Sequence, residues 1–312
     1  MVHESHGTFN TARVLLYQQI AGGHQMAVST LIYNAYRDYS SKLSALLEDP
    51  VFHGEGVPVG QRDAILLIPG FGSGDWTFNT MSRWLQQIGY RTYVSGINVN
   101  LGCPQRKVER ILGRVEEIAK DEGGRIVIIG HSLGGLVGSA LARNRPDLVR
   151  HVIAIGSPLR DGWQAVSPEV RPALFAIHSF FQKFIEAPQG CGTELCTCNF
   201  SEESRGTRLP SSVRFTSIYS RHDGVVDWRF ATTENGDCYE VDGLHTDLVV
   251  NVEVISDLEQ RAGRLSARDR QAPLHGRRHC GHQKWNDLHD ATSTRYLAAC
   301  GNQLNLGRKF SA

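Results

Sequence analysis

The sequence contains no run of eighteen consecutive apolar residues, which excludes an ordinary membrane-spanning helix from its reading. No internal repeat at a fixed period is evident either. The opening residues, MVHESHGTFNTARV, place an acid early and lack the basic segment and apolar core of a secretory signal. As written, the chain is expected to be cytoplasmic. Its seven cysteines are odd in number and unevenly spaced, which is not the pattern of a disulfide framework. Cys191, Cys196 and Cys198 cluster in CGTELCTC, read either as free thiols in a cytosolic loop or as one disulfide in an oxidising compartment. His275, His279, Cys280 and His282 fall close together without the second, separated ligand pair that structural zinc requires, so neither a metal nor a cofactor is expected.

A strong charge of either sign is also missing, because the formal net charge is only +1. The near-neutrality hides an asymmetry: residues 261–312 hold ten Lys/Arg against three Asp/Glu, and the rest holds twenty-three against twenty-nine. After Gly263 the apolar periodicity fades. The segment 264–312 is therefore read as a basic, poorly ordered tail, and no nucleic-acid partner is expected.

What is present fits one large α/β domain with additions, since 312 residues at 41% hydrophobic and 21% charged content can bury a substantial core. From Asp63 onward, apolar runs of strand length alternate with segments of helical period. AILLIPG, RTYVSGI, RIVIIG, HVIAIGSPL, SVRFTSIYS and CYEVDG read as six strands. GDWTFNTMSRWLQQIGY, the segment from Pro104 to Asp121, and SLGGLVGSALARN read as helices between them. This order predicts the α/β class, with a mainly parallel sheet covered by helices on both faces and a ligand site at the carboxyl ends of the strands. Residues 11–48 read as two helices broken at Gly22-Gly23. The long connection over 160–210 contains PALFAIHSFFQKFIE, with Leu174, Ile177, Phe181, Phe184 and Ile185 on one face, and is assigned as a cap or lid. The expected organisation is an N-terminal helical extension over 1–62, a core over 63–263 with the cap at about 160–210, and the tail.

Periodicity does not explain Ser132. In IVIIGHSLGGLVG, the sequence Gly130-His131-Ser132-Leu133-Gly134 is G-x-S-x-G, set where a strand ends and a helix begins. Such a turn strains the serine backbone and lifts its hydroxyl clear of the sheet. In this context GHSLGG resembles the nucleophile elbow of the lipase and esterase branch of the α/β-hydrolase superfamily, over roughly residues 63–260. The resemblance implies an α/β-hydrolase fold and a serine carboxylic-ester hydrolase acting through an acyl-enzyme on Ser132, with nucleophile, acid and histidine in that chain order. A serine hydroxyl needs a general base, and the base needs an orienting carboxylate. Ser220, Asp223 and Val226 match the family's S-x-x-D-x-x-V loop, which makes Asp223 the expected acid. His245 matches the histidine of the last loop before the final helix. Asp227, where relatives usually carry proline, is the rival acid. Asp242 is expected to cap or close a turn and Asp247 to sit near the start of the next helix. His222 is expected to point away from Asp223, and His131 to pack within the elbow.

Acyl transfer also needs two donors for a developing oxyanion. The resemblance places one at the Leu133 N–H, at the start of the helix after the elbow, and the other in PGFGSGDW. Relatives commonly show His-Gly there, whereas this chain has Pro69-Gly70, with Phe71 in the donor position. A bulky residue after the glycine resembles the GX type of oxyanion loop, which implies medium-to-long acyl esters. A phosphate cradle is excluded for PGFGSGD, because the spacing is not G-x-G-x-x-G, no lysine follows, and no acid ends the next strand. The expected partner is a small-molecule ester or lipid, with transient contact to a lipid surface. Two alternatives stand beside the hydrolase: an acyltransferase with the same triad, and a catalytically idle scaffold used for binding.

Overall fold

A computed structural model describes residues 39–57, 59–60, 62–182, 198, 200, 209–233 and 236–265 of the chain. Six strands form one sheet: β1 (Ala64–Ile68), β2 (Arg91–Val94), β3 (Ile126–His131), β4 (Val149–Ile155), β5 (Arg214–Tyr219) and β6 (Asp237–Glu240). Every pairing is parallel, in the order β2-β1-β3-β4-β5-β6. β1 and β3 are buried along their whole length, which is why their sequences are unbroken apolar runs rather than alternating ones.

Successive side chains on a strand point to opposite faces, and the core divides accordingly. Ile65, Leu67, Val127, Ile129, Ile153 and Ile155 pack on one face against Met81, Trp84 and Leu85 of α1 (Asn79–Gln87) and Val254, Ile255 and Leu258 of α6 (Val252–Leu265). Leu66, Ile68, Ile126, Ile128, Val152 and Ala154 pack on the other, against α2 (Pro104–Glu122) and α3 (Leu133–Asn144). The buried stripe of α2 is Val108, Ile111, Val115 and Ile118, the three-and-four spacing of an amphipathic helix. Pro104 opens that helix at a position where its missing N–H costs nothing, and Gly123 closes it in the left-handed region at φ 66°.

Two helices begin or lie where periodicity does not announce them. The segment read as one helix from Gly74 starts instead with a 3-10 turn, Asp75–Phe78, before α1. The reason is that the Asp75 carboxylate is engaged outside the helix, accepting from the backbone N–H groups of Ser95, Gly96 and Ile97 and from the Ser95 hydroxyl. After β4, the chain pairs antiparallel with the loop after β5 through Val166 and Val226. It then enters α4 (Arg171–Gln182), the described part of the expected cap. The four-residue α5 (Trp228–Ala231) follows the same loop.

Residues 39–48 are helical, and the rest of the expected N-terminal pair lies outside the described residues. So do Cys191, Cys196, the end of the cap helix and the tail beyond residue 265. Cys238 in β6 is disulfide-bonded. No helix among the described residues is long and apolar enough to cross a membrane.

The strand order reverses between β1 and its two neighbours, β2 and β3. Chain leaving β1 and chain leaving β3 therefore diverge and open a crevice at their carboxyl ends. Close packing is demanded there: a methyl group at Gly134 would sit 2.1 Å from the Ile68 carbonyl oxygen, which belongs to backbone and cannot yield. Replacing Gly134 with alanine is expected to destabilise the protein by about 1–3 kcal/mol, read as a lowered thermal midpoint. An unchanged midpoint would show that α3 does not pack this closely on β1.

Candidate active site

Ser132 stands at the junction of β3 and α3 with φ 52° and ψ −122°, a backbone region that non-glycine residues occupy only at a cost. Two hydrogen bonds hold it there. Its N–H donates to Ile155 O at 2.8 Å, continuing the β3–β4 ladder, and its carbonyl accepts from Gly135 N–H at 3.0 Å. The flanking glycines make the turn passable, since a methyl at Gly130 would lie 2.4 Å from backbone atoms of Gly134.

Asp223 and His245 emerge from the loops after β5 and β6 at the same edge of the sheet. His245 Nδ1–H donates to Asp223 Oδ2 at 2.8 Å, and its backbone N–H donates to Asp223 O at 2.9 Å. The other carboxylate oxygen, Oδ1, accepts from Val225 N–H at 2.9 Å and Val226 N–H at 2.6 Å. Ser132, Asp223 and His245 are all buried. An anionic acceptor fixes the proton of His245 on Nδ1, so Nε2 is left as the basic nitrogen.

His131 ties the histidine loop to the elbow. Its Nε2–H donates to His245 O at 2.9 Å, and the two rings are 4.7 Å apart between centroids. The same ring borders Gly70, where a methyl would meet both His131 Nδ1 and Ser132 Cβ at 3.0 Å. Burial, and next the neighbouring His245, push the His131 pKa down to about 3. It is therefore a neutral donor at ordinary pH and adds no positive charge beside His245.

The rival carboxylates are engaged elsewhere. Asp227 caps α5 by accepting from Arg229 N–H and forms an ion pair with the Arg229 guanidinium at 2.5 Å. Asp242 pairs with His222 at the surface, and Asp247 accepts from Leu244 N–H just before a 3-10 turn over Leu248–Val250. Phe71 and Leu133 lie on the β1 and β3 sides of the crevice, and among the described residues neither N–H donates to a backbone carbonyl. No cluster of three metal-ligating side chains occurs among the described residues, and the histidine-rich part of the tail lies outside them.

The sequence profile described as the alpha/beta hydrolase family matches residues 65–298. The chain belongs to that family. The match runs past Gly263 into the segment expected to be a tail. The chain is 32% identical to a triacylglycerol lipase of Pseudarthrobacter phenanthrenivorans over 109 residues, covering 32% of this chain and 34% of the relative. A triacylglycerol lipase of Burkholderia plantarii matches at 32% over 109 residues as well, covering 32% of this chain and 30% of that protein. The chain thus spans about a third of the length of these curated relatives. Among solved structures it is similar to the monoacylglycerol lipase of Paleococcus ferrophilus, at 15% identity and a TM-score of 0.48, with 67% of this chain and 96% of that chain covered.

Within this α/β-hydrolase, sequence reading overlooked Gly156. Its φ is 53°, and a methyl there would press on Leu248 Cδ1 at 2.9 Å and Asp223 Oδ2 at 3.1 Å. The signal was a glycine closing the β4 run, HVIAIG, at the same height as the elbow.

Because unfolded histidine titrates near 6.5 and folded His131 near 3, the unfolded state takes up this proton first as pH falls. Stability is then lost from about pH 6.5 downward. His131→Gln removes that contribution and is expected to narrow the gap between denaturant midpoints at pH 7 and pH 5. An equal gap in variant and wild type would contradict the buried neutral state.

Proposed function

We propose that this protein is a serine carboxylic-ester hydrolase of the lipase and esterase kind. The observation that carries the reading is the buried His245–Asp223 hydrogen bond, on the same sheet edge as a serine held at positive φ where β3 ends. In the proposed cycle Ser132 Oγ attacks the ester carbonyl carbon while its proton passes to His245 Nε2. Asp223 remains ionised, orients the ring and balances the imidazolium. The tetrahedral oxyanion is held by the N–H groups of Phe71 and Leu133, the second at the positive end of α3. Collapse breaks the bond to the leaving alcohol, which takes the proton from His245. Water then attacks the acyl-enzyme, giving its proton to His245, and the acid leaves as Ser132 regains its hydrogen.

A preference for medium-to-long acyl chains is supported by two features. Phe71 follows Pro69-Gly70 directly, and α4, with Phe175 and Phe180 exposed on it, starts where the chain pairs with the loop bearing Asp223. The relatives named triacylglycerol lipases point to the same ester class.

The test is turnover of p-nitrophenyl esters of graded chain length. Wild-type protein is expected to be most active at medium or long chains, and Ser132→Ala to lose activity by about a thousandfold or more. Wild-type turnover no higher than that of Ser132→Ala would remove the hydrolase reading, and a maximum at acetate would remove the chain-length preference. Asp223→Asn is expected to cost far more kcat than Asp227→Asn, whose carboxylate serves α5 and Arg229. The reverse ranking would reassign the acid.

A further inference from the structure

The loop that bears Phe71 is closely held. Asn100, 31 residues further along the chain and fully buried, supplies the grip. Its side-chain Nδ2–H donates to Pro69 O at 2.7 Å. Its backbone carbonyl accepts from Gly72 N–H at 2.9 Å, and its backbone N–H donates to Ser73 O at 2.6 Å. Between these anchors, Gly70 O accepts from Ser73 N–H at 3.2 Å and from the Ser73 hydroxyl at 2.8 Å.

Three consecutive peptide groups, 69–70, 70–71 and 71–72, are thus each fixed by at least one hydrogen bond. The middle one carries the Phe71 N–H. No cis peptide occurs among the described residues, and in a trans peptide the N–H points opposite to the C=O. Holding Gly70 O toward Ser73 therefore turns the Phe71 N–H away from the loop's own carbonyls. The two loops are also interlocked in space, because a methyl at Gly74 would lie 2.0 Å from Asn98 O, and Asp75 N–H donates to Ile97 O at 2.9 Å.

We propose that Asn100 is a positioning residue for the oxyanion hole, fixing the direction of the Phe71 N–H. This rests on the ester-hydrolase reading. A packing role alone does not explain the residue: its Oδ1 is buried and accepts no hydrogen bond among the described residues, a penalty that an apolar side chain of the same branched shape avoids.

Asn100→Leu keeps the branching at Cγ and removes the donor. The measurement compares kcat and KM on a p-nitrophenyl ester and on its thiono analogue, whose sulfur is a poor hydrogen-bond acceptor and gains little from the hole. For the oxygen ester, kcat is expected to fall about tenfold to a hundredfold, with KM changed by less than about threefold. The thiono ester is expected to lose much less, so that the preference for oxygen over sulfur shrinks. Ser73→Ala, which removes only the hydroxyl bond to Gly70 O, is expected to shift the same ratio by a smaller factor and serves if Asn100→Leu does not fold. Equal losses on both esters, or no loss in either variant, would overturn the proposal while leaving the hydrolase intact. A wild type that turns over neither ester would instead overturn the hydrolase reading on which it rests.

Discussion

The arrangement depends on one strained residue. A serine at φ 52° costs about 1–3 kcal/mol relative to relaxed backbone, and the strain persists because its surroundings leave no alternative. The β3–β4 ladder holds its N–H, α3 begins at once on its far side, and glycines at 130 and 134 let the turn close against the ends of β1 and β3. From this fixed point the rest can be placed. His131, one residue earlier, reaches the carbonyl of His245, and Gly70 brings the loop after β1 against Ser132.

The electrostatics follow from that placement. Removing an imidazole and a carboxylate from water is costly unless each is paired, and here the pairing is complete on the acid side: Asp223 accepts two backbone N–H groups and one imidazole N–H. Asp227, four residues later, has its own arginine and its own helix to cap. Two aspartates close in sequence therefore have separate tasks. The antiparallel contact of Val166 with Val226 stands between them in the chain and fixes the loop on which both lie.

Much of the fold was legible because buried parallel strands and amphipathic helices write their environment directly into hydrophobic period. All six strands, α2 and α3 follow from runs such as RIVIIG and from the spacing of Val108, Ile111, Val115 and Ile118. The 3-10 start at Asp75 was not legible, since an aspartate at a helix start looks the same whether it caps the helix or binds a loop twenty residues away. α5 is too short to show a period. For the site, Ser132, Asp223 and His245 stood out by motif and order, and the structure sets Asp223 against His245 directly. Asn100 and the bond from His131 to His245 carry no local signature. They exist only through contacts between loops that are distant in sequence, and a single chain shows such contacts only once it is folded.

The proposed chemistry requires Ser132 to be the activated nucleophile, and covalent capture tests that most directly. Protein treated with a fluorophosphonate and digested for peptide mass mapping is expected to carry a single adduct, on Ser132, formed far more slowly when His245 is replaced by alanine. No adduct, an adduct on another serine, or equal labelling without His245 would contradict it.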